Sequence, residues 1–115
     1  MRRFNARYGY HRGDPAIAFI GALLRYRAQE NDVYRVRGDE FVITIADEAQ
    51  AAVLAERFRT DVEAVLGGPP DELTISAGVA YANPNSTLQS LLTDAFDACK
   101  EAKSKGKNTV CFAPK

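Results

Sequence analysis

No stretch of this chain is apolar for long enough to cross a bilayer. The longest, Ala16 to Leu24, has nine residues, against roughly 18 or more for a spanning helix. Nothing at the N-terminus has the layout of a secretory signal, so the reading is a soluble, cytoplasmic chain. An excess of charge is missing too. Fifteen Lys and Arg face fifteen Asp and Glu, which leaves no whole-protein field to draw the chain onto nucleic acid and disfavours a general nucleic-acid binder. Cysteine is scarce. Cys99 and Cys111 are too few for a disulfide framework and lack zinc-site spacing, so both are expected to be reduced, buried and inert. The single histidine, His11, has no partner at metal or nucleophile spacing and reads as exposed and non-catalytic. What remains is ordinary globular material, 46% hydrophobic and 26% charged over 115 residues, enough to bury roughly two-thirds of the unfolded surface in one core.

No repeat, linker or charge block divides the chain, and its Gly and Pro residues fall at element boundaries. One domain over residues 1–115 is predicted. Asp14 with Pro15 has the form of a helix start, and the apolar positions Ala16, Ile17, Phe19, Ile20, Leu23 and Leu24 carry that helix to about Gln29. Val33 to Val36 and Phe41 to Ile45 are β-rich runs around Arg37-Gly38-Asp39-Glu40, a hairpin with two adjacent acids at its tip. From Asp47 to Leu66 the residues Ala51, Leu54, Ala55, Phe58, Val62 and Val65 repeat at helical spacing, and Gly67-Gly68-Pro69-Pro70 ends the run. Leu73 to Tyr81 reads as a strand. Ser86-Thr87-Leu88-Gln89 has the form of a capping box, opening a last helix that would bury Leu88, Leu91, Leu92, Ala95, Cys99 and Ala102 and end at Gly106. A final strand spans Thr109 to Phe112. The predicted order is αββαβαβ, an α+β arrangement that matches a ferredoxin-like or palm sheet except that the strand before its first helix is absent.

Three groups of residues could carry chemistry. At the hairpin tip, Gly38 would let a ligand approach the backbone, and Asp39 and Glu40 could bind a hard cation. A plain turn with solvated acids explains the same residues. Lys100, Lys103 and Lys107 form a row near the end of the last helix that could face phosphate, although cations there also suit the helix dipole and water. Arg2, Arg3, Arg7 and Arg12 make the N-terminus locally basic, which by itself is a solvated arm. Cys99 has no fixed partner that would make it a nucleophile.

Taken together, four blocks resemble the GGDEF family, the diguanylate cyclases that condense two GTP into cyclic di-GMP. Asn5-Ala6-Arg7-Tyr8-Gly9-Tyr10-His11-Arg12-Gly13-Asp14 resembles the family's N-D-x-[YF]-G-H-x-x-G-D, and Arg35-Val36-Arg37-Gly38-Asp39-Glu40-Phe41 its R-x-G-G-D-E-F hairpin. Thr74-Ile75-Ser76-Ala77-Gly78-Val79-Ala80 resembles its T-x-S-x-G-x-A strand, and Ala102-Lys103-Ser104-Lys105-Gly106-Lys107-Asn108 its A-K-x-x-G-x-N helix end. The blocks keep the family's order and spacing over nearly the whole chain.

The resemblance implies a role for each matching position. Asn5 and Asp14 would hydrogen-bond guanine, and Gly38 would let the hairpin backbone approach the nucleotide. Asp39 and Glu40 would hold Mg²⁺ or Mn²⁺ and serve catalysis, while Lys103 and Lys107 would hold the terminal phosphates. Lys100 is not carried over, because the family has an aromatic residue there.

The departures imply as much. The family's first strand ends in a metal-binding aspartate, and Met1-Arg2-Arg3-Phe4-Asn5 resembles the segment just after that strand. Arg37 stands in place of the motif's first glycine. Gln29-Glu30-Asn31-Asp32 lacks the arginine of the product-inhibition motif R-x-x-D. The expectation is therefore a GGDEF domain of cyclic di-GMP signalling, incomplete at its N-terminus and weak or inactive as an isolated chain. The alternative is a non-catalytic module that binds GTP or cyclic di-GMP or mediates protein interaction. A palm sheet without its central strand exposes two edges, so a homodimer or strand-exchanged oligomer is expected. An upstream sensor domain would suit the same reading.

Overall fold

The computed structural model describes residues 10–28, 31–37, 39–69 and 72–114, with the side chains of residues 10–14 and 37 outside that description. The element order is α1 (Tyr10–Ala28), β1 (Asp32–Arg37), β2 (Glu40–Thr44), α2 (Glu48–Leu66), β3 (Ala77–Val79), α3 (Leu88–Ser104) and β4 (Val110–Phe112). This is the predicted αββαβαβ sequence of an α+β fold.

α1 begins at Tyr10, before the predicted start, so Asp14 lies within the helix rather than capping it, and Pro15 is inside it. A proline there gives up one hydrogen bond to the carbonyl four residues back. Burial of Ile17, Ile20, Leu24 and Ala28 anchors the rest of the helix. Phe19, expected in the buried stripe, is exposed. α2 starts as predicted, with the Asp47 carboxylate accepting from the Ala49 N–H at 3.0 Å. It buries Leu54, Ala55, Phe58 and Val62, while Val65 at its far end is 56% exposed.

The hairpin pairs β1 and β2 antiparallel, with Arg35 opposite Phe41 and Arg37 opposite Glu40, so the register slips by a bulge at Val36. A bulge next to a turn bends the strand and re-aims the tip. The concave face of the hairpin closes on α1 and α2, where Ile20, Leu24, Ala28, Leu54, Phe58 and Val62 form the main core and Val33, Phe41 and Ile43 pack against it.

β3 is much shorter than the Leu73–Tyr81 run suggested. Strand identity depends on a partner, and β3 is paired only to β4, in parallel, from Ala77–Val110 to Val79–Phe112. Among the described residues the strands form two separate pairs, β1 with β2 and β3 with β4. No described strand joins β2 to β3, where the expected palm sheet has its central strand.

α3 is capped one residue later than the Ser86-to-Gln89 reading. Thr87 is the cap: its hydroxyl accepts from the Ser90 N–H at 3.0 Å, and the Ser90 hydroxyl accepts from the Thr87 N–H at 2.9 Å. Ser86 is otherwise engaged, its hydroxyl accepting from the Asn83 N–H at 2.9 Å. The buried face agrees with expectation at Ala102 and differs elsewhere. Ala98 and Ala102 form a small second core with Cys111, whereas Leu91, Leu92, Ala95 and Cys99 are half-buried and Leu88 is 70% exposed. The residues that let strands approach closely are the small ones.

Candidate functional site

The two-residue turn of the hairpin places Asp39 at its exposed tip and Glu40, half-buried, as the first residue of β2. Phe41 follows and fixes the base of the tip against α1. A Cβ at Gly21 would lie 3.1 Å from the Phe41 ring, so the helix surface is bare where the ring rests. Gly38 and Asn5 lie outside the described residues, as do the side chains of Asp14, Arg37 and His11 and the basic residues Arg2, Arg3, Arg7 and Arg12.

On the other side of the site, the last two turns of α3 carry Cys99 and Lys103. Cys99 is half-buried, and its thiol donates to the Ser76 carbonyl at 3.5 Å. Burial pushes the Cys99 pKa above its ordinary value; Lys103 pulls it the other way, and Glu40, Asp39 and then Cys111 add to the rise. Asp39, Glu40 and Lys103 therefore all act electrostatically on one sulfur atom. The hairpin packs on α1, whereas α3 packs on β3 and β4.

Lys107 is placed differently. α3 ends in a Schellman arrangement, with Gly106 at φ 108° and the Lys107 N–H donating back to the Ala102 carbonyl at 3.1 Å. The left-handed backbone continues through Lys107 at φ 63° and Asn108 at φ 48°. Asparagine tolerates that region, but a lysine held there costs about 1 kcal/mol or more. Lys103 and Lys107 are both exposed.

Asn108 supplies the restraint. Its carbonyl oxygen accepts from Arg59 Nη1 at 3.1 Å, and its amide nitrogen donates to the Glu63 carboxylate. Arg59 is itself held, hydrogen-bonded to Glu56 through Nε at 3.0 Å, and its side chain is only 17% exposed. That hydrogen bond lowers the Glu56 pKa. Sequence reasoning named Asn108 only as the end of a motif and missed Arg59, whose partner stands far along the chain.

Asp39 and Glu40 offer the oxygen donors of a hard cation. Among the described residues no group of three or more His, Cys, Asp and Glu forms a metal-sized cluster. Two carboxylates nevertheless fit Mg²⁺, which is commonly held by one or two of them with water and substrate phosphates in the other positions.

Residues 1–109 match the family described as "Diguanylate cyclase, GGDEF domain". The chain belongs to the GGDEF family. Its relatives include the diguanylate cyclase DgcM of Escherichia coli, 33% identical over 98% of this chain and 28% of that protein. The uncharacterized protein YhcK of Bacillus subtilis is 33% identical over 100% of this chain and 34% of that protein. The chain thus spans about a third of the length of the curated relatives it matches. Among solved structures, the active GGEEF domain of a diguanylate cyclase from Vibrio cholerae superposes with a TM-score of 0.84 at 23% identity, covering 99% of this chain and 76% of the other. The coiled coil and GGDEF domain of DgcB from Caulobacter crescentus, in complex with c-di-GMP, also gives 0.84 at 23% identity, over 97% of this chain and 63% of that one. These likenesses support the α+β fold, and the family match makes the chain a GGDEF domain resembling diguanylate cyclases. No helix among the described residues is long and apolar enough to cross a membrane.

Proposed function

We propose that this GGDEF domain binds GTP together with a divalent cation, Mg²⁺ or Mn²⁺, at the hairpin tip, in the service of cyclic di-GMP signalling. The observation that carries the reading is the antiparallel hairpin that sets the adjacent acids Asp39 and Glu40 at its tip, in a chain that matches the GGDEF family over residues 1–109. Paired acids suit a hard cation, and exposed lysines at the end of the last helix suit a phosphate, so the two groups together would fit a metal–triphosphate ligand. When bound, the cation neutralises phosphate charge and lowers the pKa of a coordinated hydroxyl.

The chain's own residues have separate tasks in this reading. Asp39 and Glu40 hold the cation and orient the attacking ribose hydroxyl; Lys103 and Lys107 hold the terminal phosphates; the Gly38 backbone admits the nucleotide; and Asn5 with Asp14 selects guanine. Turnover to cyclic di-GMP by the isolated chain is weak or absent, because alignment for phosphoryl transfer needs more metal ligands than the hairpin offers. The same domain without turnover would act as a binding module for GTP or cyclic di-GMP. A bacterial cytoplasmic setting and input from a sensor domain belong to the proposal, in line with relatives about three times as long as the matching region.

Calorimetry with a non-hydrolysable GTP analogue and the matching ATP analogue, each with Mg²⁺, tests the reading. GTP is expected to bind in preference to ATP and to lose most of its affinity in Asp39→Ala. Equal affinities would sink the guanine assignment. Binding indifferent to Asp39→Ala and to removal of Mg²⁺ would sink the metal site. Chromatography after prolonged incubation with GTP is expected to show little cyclic di-GMP, and a robust product peak abolished by Asp39→Ala would show that the isolated chain is a competent enzyme.

A further inference from the structure

Lys107 and Asn108 occupy backbone conformations that L-residues rarely adopt, at φ 63° and 48°, where the Lys107 N–H to Ala102 carbonyl bond ends α3. An unusual backbone persists only where its surroundings over-determine it. Here the surroundings are the Asn108 side chain and α2. Both ends of the amide are used, one accepting from Arg59 at 3.1 Å and the other donating to Glu63, so the amide's orientation is set by the network. Arg59 is fixed in turn by Glu56 and lies 3.6 Å from Glu63. A substantially buried guanidinium locked by carboxylates on its own helix is a rigid post, and Asn108 is moored to it.

We propose that Asn108, moored by Arg59 and Glu63, is a positioning residue that sets the direction of the Lys107 side chain for phosphate binding. The inference rests on the reading that Lys107 meets the terminal phosphates, and it deepens that reading by naming what aims the lysine. Without the moorings, the main chain at residues 107 and 108 can relax to negative φ, which re-aims the lysine. Asn108 touches no nucleotide itself. Its effect therefore falls on the phosphate-dependent part of affinity and leaves nucleoside recognition alone.

The test measures binding of a non-hydrolysable GTP analogue and of GMP, with Mg²⁺, to the full chain and its variants, with thermal unfolding recorded beside each. Asn108→Gly keeps a residue at ease in the left-handed region but removes the amide; Arg59→Leu removes the post from the other side. Each is expected to weaken the GTP analogue by about three- to tenfold, the range for losing the net contribution of an ordinary hydrogen bond, and to leave GMP unchanged. In a Lys107→Ala background the Asn108→Gly effect should vanish. Asn108→Asp combined with Glu63→Gln reverses donor and acceptor in one of the two bonds while keeping both, and should restore binding.

Outcomes separate the two ideas. If Lys107→Ala binds the GTP analogue as well as the parent chain, the phosphate role of Lys107 fails and this proposal with it. If Lys107→Ala weakens binding while Asn108→Gly and Arg59→Leu do not, the phosphate role stands and the positioning role is overturned. Equal losses for GTP and GMP, or an Asn108→Gly effect that persists without the lysine, would make Asn108 merely structural and also overturn it.

Discussion

Gly78 lies so close beneath Ala95 that a Cβ built on it would come within 2.2 Å of the Ala95 carbonyl oxygen and 2.3 Å of the Cys99 N–H nitrogen. Both are backbone atoms of α3, which cannot move aside as a flexible side chain would. The glycine of the LTISAGVA block is therefore required by helix–strand approach, and Ala98 and Ala102, buried at 3% and 0% exposure, are the matching small residues on the helix. The same contact seats Cys99 beside the strand, its thiol donating to the Ser76 carbonyl.

Gly78→Ala is accordingly expected to destabilise the fold by roughly 1–3 kcal/mol or more, the cost of overpacking where nothing can yield. Gly68→Ala is the control, since a Cβ there meets nothing within 4 Å. Urea unfolding of the two variants checks the contrast, and equal stability would mean that α3 does not sit on β3 as described.

The α3 cap distinguishes neighbouring serines and threonines. Thr87→Ala and Ser90→Ala should each cost about 1 kcal/mol, with the double variant costing less than the sum because the two side chains serve one reciprocal cap. Ser86→Ala removes a loop contact and not the cap, so it should cost less than either. A larger loss at Ser86 than at Thr87 in denaturant unfolding would return the cap to the position read from sequence.

The Cys99 thiol has its pKa raised in the fold, first by burial. Below the ordinary thiol pKa both folded and unfolded chains keep the proton, and the fold's preference for the neutral thiol contributes fully. As pH climbs through that value the unfolded chain ionises first, so stability is lost toward and through the higher folded pKa. Thermal unfolding from pH 7 to 10 should show a decline that Cys99→Ala reduces. Iodoacetamide should label native Cys99 more slowly than a thiol in an unstructured peptide; labelling at the peptide's rate would show that the thiol is neither buried nor raised.

The two strand pairs motivate a test of assembly. Among the described residues β2 and β3 are each paired on one side only, and half-open edges recruit further strands. We propose that a second copy closes the sheet, as a homodimer or by strand exchange. Light scattering at several concentrations with intact-mass measurement should show dimers or larger species. A monomer of these 115 residues with sharp thermal unfolding would show that the sheet closes within one chain.

Much of this was legible in the sequence because its causes are local. The α2 helix follows from a carboxylate cap at Asp47, an apolar repeat and a Gly-Pro stop, all within one stretch of chain. The hairpin follows from two β-rich runs around a short turn, and its acids were recognisable from their motif. Where two local signals competed, packing decided. The sequence puts the cap at Ser86, but its hydroxyl accepts from the Asn83 N–H and Thr87 caps the helix. On α3 the sequence reading buries Ala102 correctly but misses Ala98 and overrates Leu88, because only small side chains admit β3 at Gly78. β3 is short because a strand needs a neighbour, which no run of its own residues can provide. The seating of Cys99 against the Ser76 carbonyl and the mooring of Asn108 to Arg59 join residues far apart along the chain. Pairings of that kind carry no signature in a single sequence, because what selects them is the packing of α2, α3 and the β3–β4 pair in three dimensions.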